Sequence, residues 1–184
     1  MSTIATIYNH LSNGNSIGVT DRERFGITSV AEIIRELASS HRALFHGTRD
    51  IISSGAKLNI KAQSNRHLVY SMVNPPGTPI AFASNYANIL MIKALFSNKY
   101  GLGYSYGDID EVKLPKQTDE VVFQKGYIYL LKNTHSFQKA NYSDWEYFST
   151  EDETVFAGSI EITLDDWPDN ISIYQKIDLE TLKK

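Results

Sequence analysis

The side chains best suited to chemistry cluster at 46-HGTR-49, where the apolar run Ala43 to Phe45 hands over to a histidine, a glycine, a threonine and an arginine. An imidazole titrates near neutral pH and can donate or accept a hydrogen bond, a glycine lets another group approach the backbone, and a guanidinium suits phosphate. A second set is the acidic run Glu151-Asp152-Glu153, with Glu146 shortly before it. Residue types and spacing exclude several other chemistries. The chain has no cysteine, which removes disulfides, thiolate nucleophiles and thiolate metal sites. Its five histidines (His10, His41, His46, His67, His135) form neither a helical i, i+4 pair nor an HExxH, so no metal site is expected. There is no Gly-x-Ser-x-Gly elbow. Gly101-Leu102-Gly103 neither follows a strand nor opens a helix, so the dinucleotide fingerprint is unmatched.

The elements that must position these residues follow from pattern. Residues 1 to 26 mix scattered apolar positions with Asn13, Gly14, Asn15, Gly18 and Gly26, which predicts an irregular arm with at most a short helical turn. A single domain is expected over 27–184. Ser29-Val30-Ala31-Glu32 is a capping box ahead of Ile33, Ile34, Leu37 and Ala38, predicting a helix over 30–40. Short strands are expected at 43–45 and 68–72, a helical turn at 51–54 ended by Gly55, and a proline-rich turn at Asn74-Pro75-Pro76-Gly77. A strand over 79–83 then leads through Ser84, a helix cap, into a buried helix over 85–96. Residues 99–117 read as a long loop or an irregular hairpin. Tyr100, Tyr104 and Tyr106 there suit a surface loop, or a flap over a bound base. A strong strand is expected at 126–131. In the strand that begins near 155, Phe156, Ile160, Ile162 and Leu164 define one apolar face, and 171–177 supply a final edge strand. Several strands with two convincing helices predict an α+β fold over a parallel α/β sheet.

The 42% hydrophobic content over 184 residues supports one domain with a sizeable core. Eighteen basic against 21 acidic residues argue against a surface that is basic throughout. Local charge is polarised: His41 to Tyr70 holds five basic residues and one acid, whereas Asn141 to Asn170 holds nine acids and no base. No apolar run is long enough for a membrane span, and the N-terminus lacks the pattern of a signal peptide. The expectation is a soluble cytoplasmic protein with no membrane partner; export by a signal-independent secretion system stays open.

Three elements in order carry a resemblance: a strand ending in His46-Gly47-Thr48, the strand-to-helix unit Ile80-Ala81-Phe82-Ala83-Ser84-Asn85-Tyr86-Ala87, and Glu151-Asp152-Glu153 before the strand that starts Thr154-Val155-Phe156. Together they resemble the ADP-ribosyltransferase superfamily, in its diphtheria-toxin-like and poly(ADP-ribose) polymerase-like branch. The resemblance runs from about Ala43 to Thr163. It implies a split β-sheet, two small and largely antiparallel sheets facing each other across a cleft, with NAD as the substrate. It further implies that His46 bonds a ribose hydroxyl and that Gly47 offers its backbone N–H and C=O to the nicotinamide carboxamide, an approach that a Cβ would obstruct. Glu153 is the implied catalytic carboxylate, stabilising an oxocarbenium-like sugar through the 2′-hydroxyl, with Glu146 and Glu151 as alternatives. Thr48, Arg49 (toward the pyrophosphate), Ala81, Phe82, Ser84 and Tyr86 complete the implied cofactor-binding set.

One departure stands out. The family's Tyr-Phe-Ala is here Ala81-Phe82-Ala83, which predicts a wider, less stacked nicotinamide slot unless Tyr86 or Tyr70 takes over. The implied function is ADP-ribosyl transfer to an unknown acceptor (protein, nucleic acid or small molecule) or NAD glycohydrolysis. The alternative is a catalytically silent module that binds a nucleotide or a protein. An RNA 2′-phosphotransferase relative ranks last, because it needs basic residues where this chain is acidic.

Overall fold

The computed structural model describes residues 3–59, 61–62, 79–95, 103–104, 111–115, 125–140, 143–167 and 172–177. The expected strand at 68–72, the turn Asn74–Gly77, and Tyr70, Tyr100 and Tyr106 lie outside these residues. Within the N-terminal segment, the expected irregular arm is instead a ten-residue helix, α1 (Thr3–Ser12), with Ile7 and Leu11 completely buried. Ile4, Ile7, Tyr8 and Leu11 recur at helical spacing, and the breakers that suggested an arm only stop the helix: Gly14 takes φ +83 directly after it. Two short 3₁₀ turns follow, Val19–Asp21 and Glu23–Phe25. Arg22, between them, forms an ion pair with Asp166 that ties the segment to the far end of the chain. Helix α2 (Val30–His41) starts as expected, with the Ser29 hydroxyl accepting the Glu32 N–H at 3.3 Å.

The principal sheet is built from β1 (Phe45–Thr48), β2 (Lys61–Ala62), β3 (Pro79–Ser84), β6 (Gly126–Lys132), β7 (Gln138–Lys139), β8 (Glu146–Ser149) and β9 (Val155–Ile162). Its order is β7-β8-β3-β1-β6-β9, all antiparallel, with β2 also paired to β3. A second sheet joins β4 (Gly103–Tyr104), β5 (Glu111–Pro115) and β10 (Ser172–Ile177), with β4 antiparallel and β10 parallel to β5. The hairpin alternative for 99–117 therefore holds where the chain is described. With α3 (Ala87–Leu95), the chain has an α+β fold. Among the described residues no helix is long and apolar enough to cross a membrane.

Strand alternation divides the core between the two faces of the sheet. Phe45, Ile128 and Leu130 join the three helices on one face, while Tyr127, Tyr129 and Leu131 join Ala81, Ala83 and Leu58 on the other. Strand β9 departs from its expected alternation. The β6–β9 register slips between Tyr129↔Ser159 and Leu131↔Phe156, a β-bulge. The extra residue turns Phe156 to the face opposite Ile160 and Ile162, so both faces of β9 are buried.

Glycines set how closely the helices seat. A Cβ on Gly47 would lie 3.0 Å from the carbonyl carbon and 3.1 Å from the Cα of Leu90, with the carbonyl oxygen closer still; one on Gly126 would meet the carbonyl of Ala94. Leu90 and Ala94 are one turn apart on α3, so this pair of glycines lets α3 lie with its backbone directly on β1 and β6.

Candidate functional site

The site begins where β1 and β3 part. Strand β1 pairs with β6 through four consecutive residues, and β3 pairs with β8 through four, but β1 and β3 share only Phe45↔Ser84. The Leu131 N–H donates to the Leu44 carbonyl at 2.9 Å. Alternation along an antiparallel ladder therefore directs the polar groups of Leu44, His46 and Thr48 at β6 and turns the N–H and C=O of Phe45 and Gly47 toward β3. Phe45 meets Ser84 there. Gly47 has no ladder partner on β3, because the pairing has ended.

His46 stands in this gap. Phe45 and Gly47 face α3, so the His46 side chain points to the other face, where its ring meets Phe156 edge-on at 5.6 Å and 77°. Its Nδ1 lies 3.3 Å from the Phe82 carbonyl, the group that a continuing ladder would have offered to the Gly47 N–H. A carbonyl only accepts, so in the neutral ring Nδ1 carries the proton and Nε2 is the acceptor nitrogen. The imidazole thus satisfies the Phe82 carbonyl.

The segment after β1 is fixed from β6. The Thr48 hydroxyl accepts the Asp50 N–H at 3.1 Å, while the Tyr129 hydroxyl accepts the Ile52 N–H at 2.7 Å and donates to the Asp50 carbonyl at 3.4 Å. Burial is the main cause that pushes the Tyr129 phenol above its ordinary range. The expected helical turn at 51–54 does not form: residues 51–53 are irregular and a turn follows at Ser54–Gly55. Gly55 and Leu58 donate to the carbonyls of Phe156 and Thr154, and Ala56 accepts from Phe156, so backbone pairing with the start of β9 replaces a helix. Arg49 is half-buried on this segment, and Ile51 is exposed.

The remaining expected residues divide by accessibility. Ala81 and Ala83 are buried in one cluster with Tyr127, Tyr129 and Phe156 from β6 and β9. Phe82 points the opposite way, against Ile80, Ala140 and Phe148. Ser84 is buried, accepting the Tyr86 N–H at 3.0 Å and donating to the Trp145 carbonyl at 2.7 Å, which locks the entry to α3 onto the start of β8. Gly47 is explained by α3: an added Cβ would meet Leu90 before any ligand.

The three glutamates occupy different surroundings. Glu153 lies on the turn before β9, 57% exposed, with its Oε2 3.1 Å from His135 Nε2. His135, Glu151 and Glu153 bring their ligand atoms within 4.8 Å of one another, a donor set for a divalent cation that the wide sequence spacing conceals; all three are exposed. Glu146 begins β8 as the partner of Ser84, itself the partner of Phe45, and is 14% exposed with Lys93 at 3.5 Å. The structure thus gathers His46, Gly47 and Phe82 at the gap, places Glu146 beside its closed end on the α3 face, opposite the His46 ring, and puts Glu153 with His135.

A groove that sequence reasoning missed lies near that closed end. It has a volume of about 400 Å³ and is lined by Arg35, Ser39, Asn85, Tyr86, Asp144 and Trp145. Its walls come from three separate segments, of which only Tyr86 was expected in a site. Comparison of the chain with family models, curated proteins and solved structures gave no match.

Proposed function

We propose that this chain consumes NAD, transferring ADP-ribose to an acceptor or hydrolysing the dinucleotide, with the nicotinamide end held where β1 and β3 part. The observation that carries the proposal is the gap: a ladder that stops after Phe45↔Ser84, with the Gly47 N–H and C=O directed into the opening and the imidazole of His46 beside it. A carboxamide needs one acceptor and one donor side by side, which an unpaired backbone position supplies. A split sheet would correspond to the seam between β3 and β1 within this one continuous sheet. The halves β7-β8-β3 and β1-β6-β9 join at one residue pair and share a buried cluster of Ala81 and Ala83 with Tyr127, Tyr129 and Phe156.

Glu153 is the first candidate for the carboxylate that stabilises the developing sugar cation, with Glu146 and Glu151 as alternatives. Glu153 is half-solvated on the turn before β9 beside His135, whereas Glu146 is largely buried but pairs with Lys93 on the α3 face, opposite the His46 ring. Arg49 leaves the end of β1 at the open side, on the way to a pyrophosphate. The acceptor is a protein, a nucleic acid or a small molecule.

One observation favours the rival, a silent nucleotide- or protein-binding module: the position where the family stacks a tyrosine on nicotinamide is a buried alanine. Calorimetric titration of NAD into wild type and His46→Ala tests the proposal. Saturable binding, weakened at least about tenfold by the substitution, is expected. No heat up to about 10 mM NAD, or equal binding by a folded His46→Ala protein, refutes it.

A further inference from the structure

We infer that the groove between α2, the turn into α3 and the segment ahead of β8 binds a small planar anion, an aromatic ring that carries a phosphate or a carboxylate. Two half-buried rings line it, Tyr86 and Trp145, each packed on one side against the main core and therefore held in place. Trp145 is fixed further through both of its peptide groups: its N–H donates to the Ser143 hydroxyl at 3.2 Å and its carbonyl accepts from Ser84 at 2.7 Å. Its indole N–H, however, has no hydrogen-bond partner among the described residues, and neither does the guanidinium of Arg35. Both are donors that cannot accept, so together they ask for an acceptor-rich, negatively charged group beside a ring that the two aromatic walls can cover.

The charge balance agrees. The carboxylate of Asp144 is at the rim, almost fully exposed, and is engaged by Lys139 at 2.7 Å, which offsets its charge and leaves Arg35 to set the sign of the groove. The first turn of α3 begins directly after Tyr86 and adds the partial positive charge of its free N–H groups. A volume near 400 Å³ suits one ring system and one anionic group. The groove is walled by α2, on the face opposite His46, so this inference does not rest on the proposed use of NAD.

The test uses the intrinsic fluorescence of Trp145. The chain has two tryptophans, and Trp167→Phe isolates the relevant one. The probes are AMP and 4-hydroxybenzoate, with adenosine and inorganic phosphate alone as fragments. Saturable quenching by AMP or 4-hydroxybenzoate below about 1 mM is expected, each fragment at least about tenfold weaker. Binding of AMP alone identifies phosphate as the anionic group, and binding of 4-hydroxybenzoate alone identifies carboxylate. Arg35→Ala, an exposed helix position that alanine suits, should weaken the bound probe about tenfold without lowering Tm, while His46→Ala should leave it unchanged. Calorimetry on wild type gives the same comparison if Trp167→Phe folds poorly. The inference is overturned if neither probe saturates by about 10 mM, if Arg35→Ala keeps the affinity within about twofold, or if His46→Ala abolishes binding and Arg35→Ala does not.

Discussion

Replacing Gly47 by alanine tests how α3 is seated. The added Cβ would lie 3.0 and 3.1 Å from the carbonyl carbon and Cα of Leu90, where comfortable carbon–carbon contacts are about 3.5–4.0 Å. The neighbour is helix backbone, so no side-chain rotation relieves the clash. Because the Leu90 carbonyl oxygen is closer still, helix α3 must retreat by about one ångström or more, loosening its contact over Gly126 as well. Overpacking of this kind costs about 3 kcal/mol, and the stiffer unfolded chain returns about 0.5–1, for a net loss of roughly 2 kcal/mol. With an m-value of about 2 kcal/mol/M in urea, the midpoint falls by about 1 M, and Tm falls by about 4–8 °C. Gly55→Ala is the control. Its Cβ meets nothing within 4 Å, but its φ of +83 costs about 1–2 kcal/mol by conformation alone. A Gly47→Ala protein melting within about 1 °C of wild type would refute the close seating of α3 and return the glycine to a role in ligand approach.

Further outcomes follow from the same packing. Ala81→Tyr should destabilise by about 3 kcal/mol, read by urea denaturation, because the position is sealed beneath Tyr127 and Tyr129, and it should not raise NAD affinity. Tyr129→Phe should cost about 1–2 kcal/mol by losing the hydroxyl that holds the backbone at Asp50 and Ile52. The folded-state pKa of Tyr129 is raised, so the unfolded chain loses the proton first: stability declines above about pH 10 in wild type, and that decline should be shallower in Tyr129→Phe. His135→Ala should change stability by no more than about 0.5 kcal/mol, because its pair with Glu153 is exposed on both sides.

What could be read from sequence was local. The Ser29–Glu32 cap and the apolar face behind it specify α2, and a continuous apolar run marks β6 as a strand covered on both faces. Helix α1 is hard to read from sequence because the breakers Asn13 to Asn15 follow the Ile4–Ile7–Leu11 spacing at once and leave it barely three turns long. The bulge in β9 is one residue of slip and left no signal in an alternation that looked regular from Phe156 to Ile162. At the site, the strand position of His46 and Gly47 was legible, but the reason for the glycine depends on where a helix 40 residues later comes to rest. Trp145 and Arg35 are drawn into one groove by tertiary packing alone, which no spacing encodes.

Nicotinamide release from purified protein incubated with NAD, with and without bacterial lysate as a source of acceptors, addresses the proposed function most directly. Wild type should release nicotinamide. Glu153→Gln should bind NAD within a few-fold of wild type yet release nicotinamide about 30- to 1,000-fold more slowly, the loss of roughly 2–4 kcal/mol of transition-state stabilisation, while Glu146→Gln and Glu151→Gln stay close to wild type. A large loss in Glu146→Gln or Glu151→Gln with Glu153→Gln unaffected would move the carboxylate role to that residue. Equal release from wild type and all three variants, under every acceptor tried, would contradict the enzyme outright.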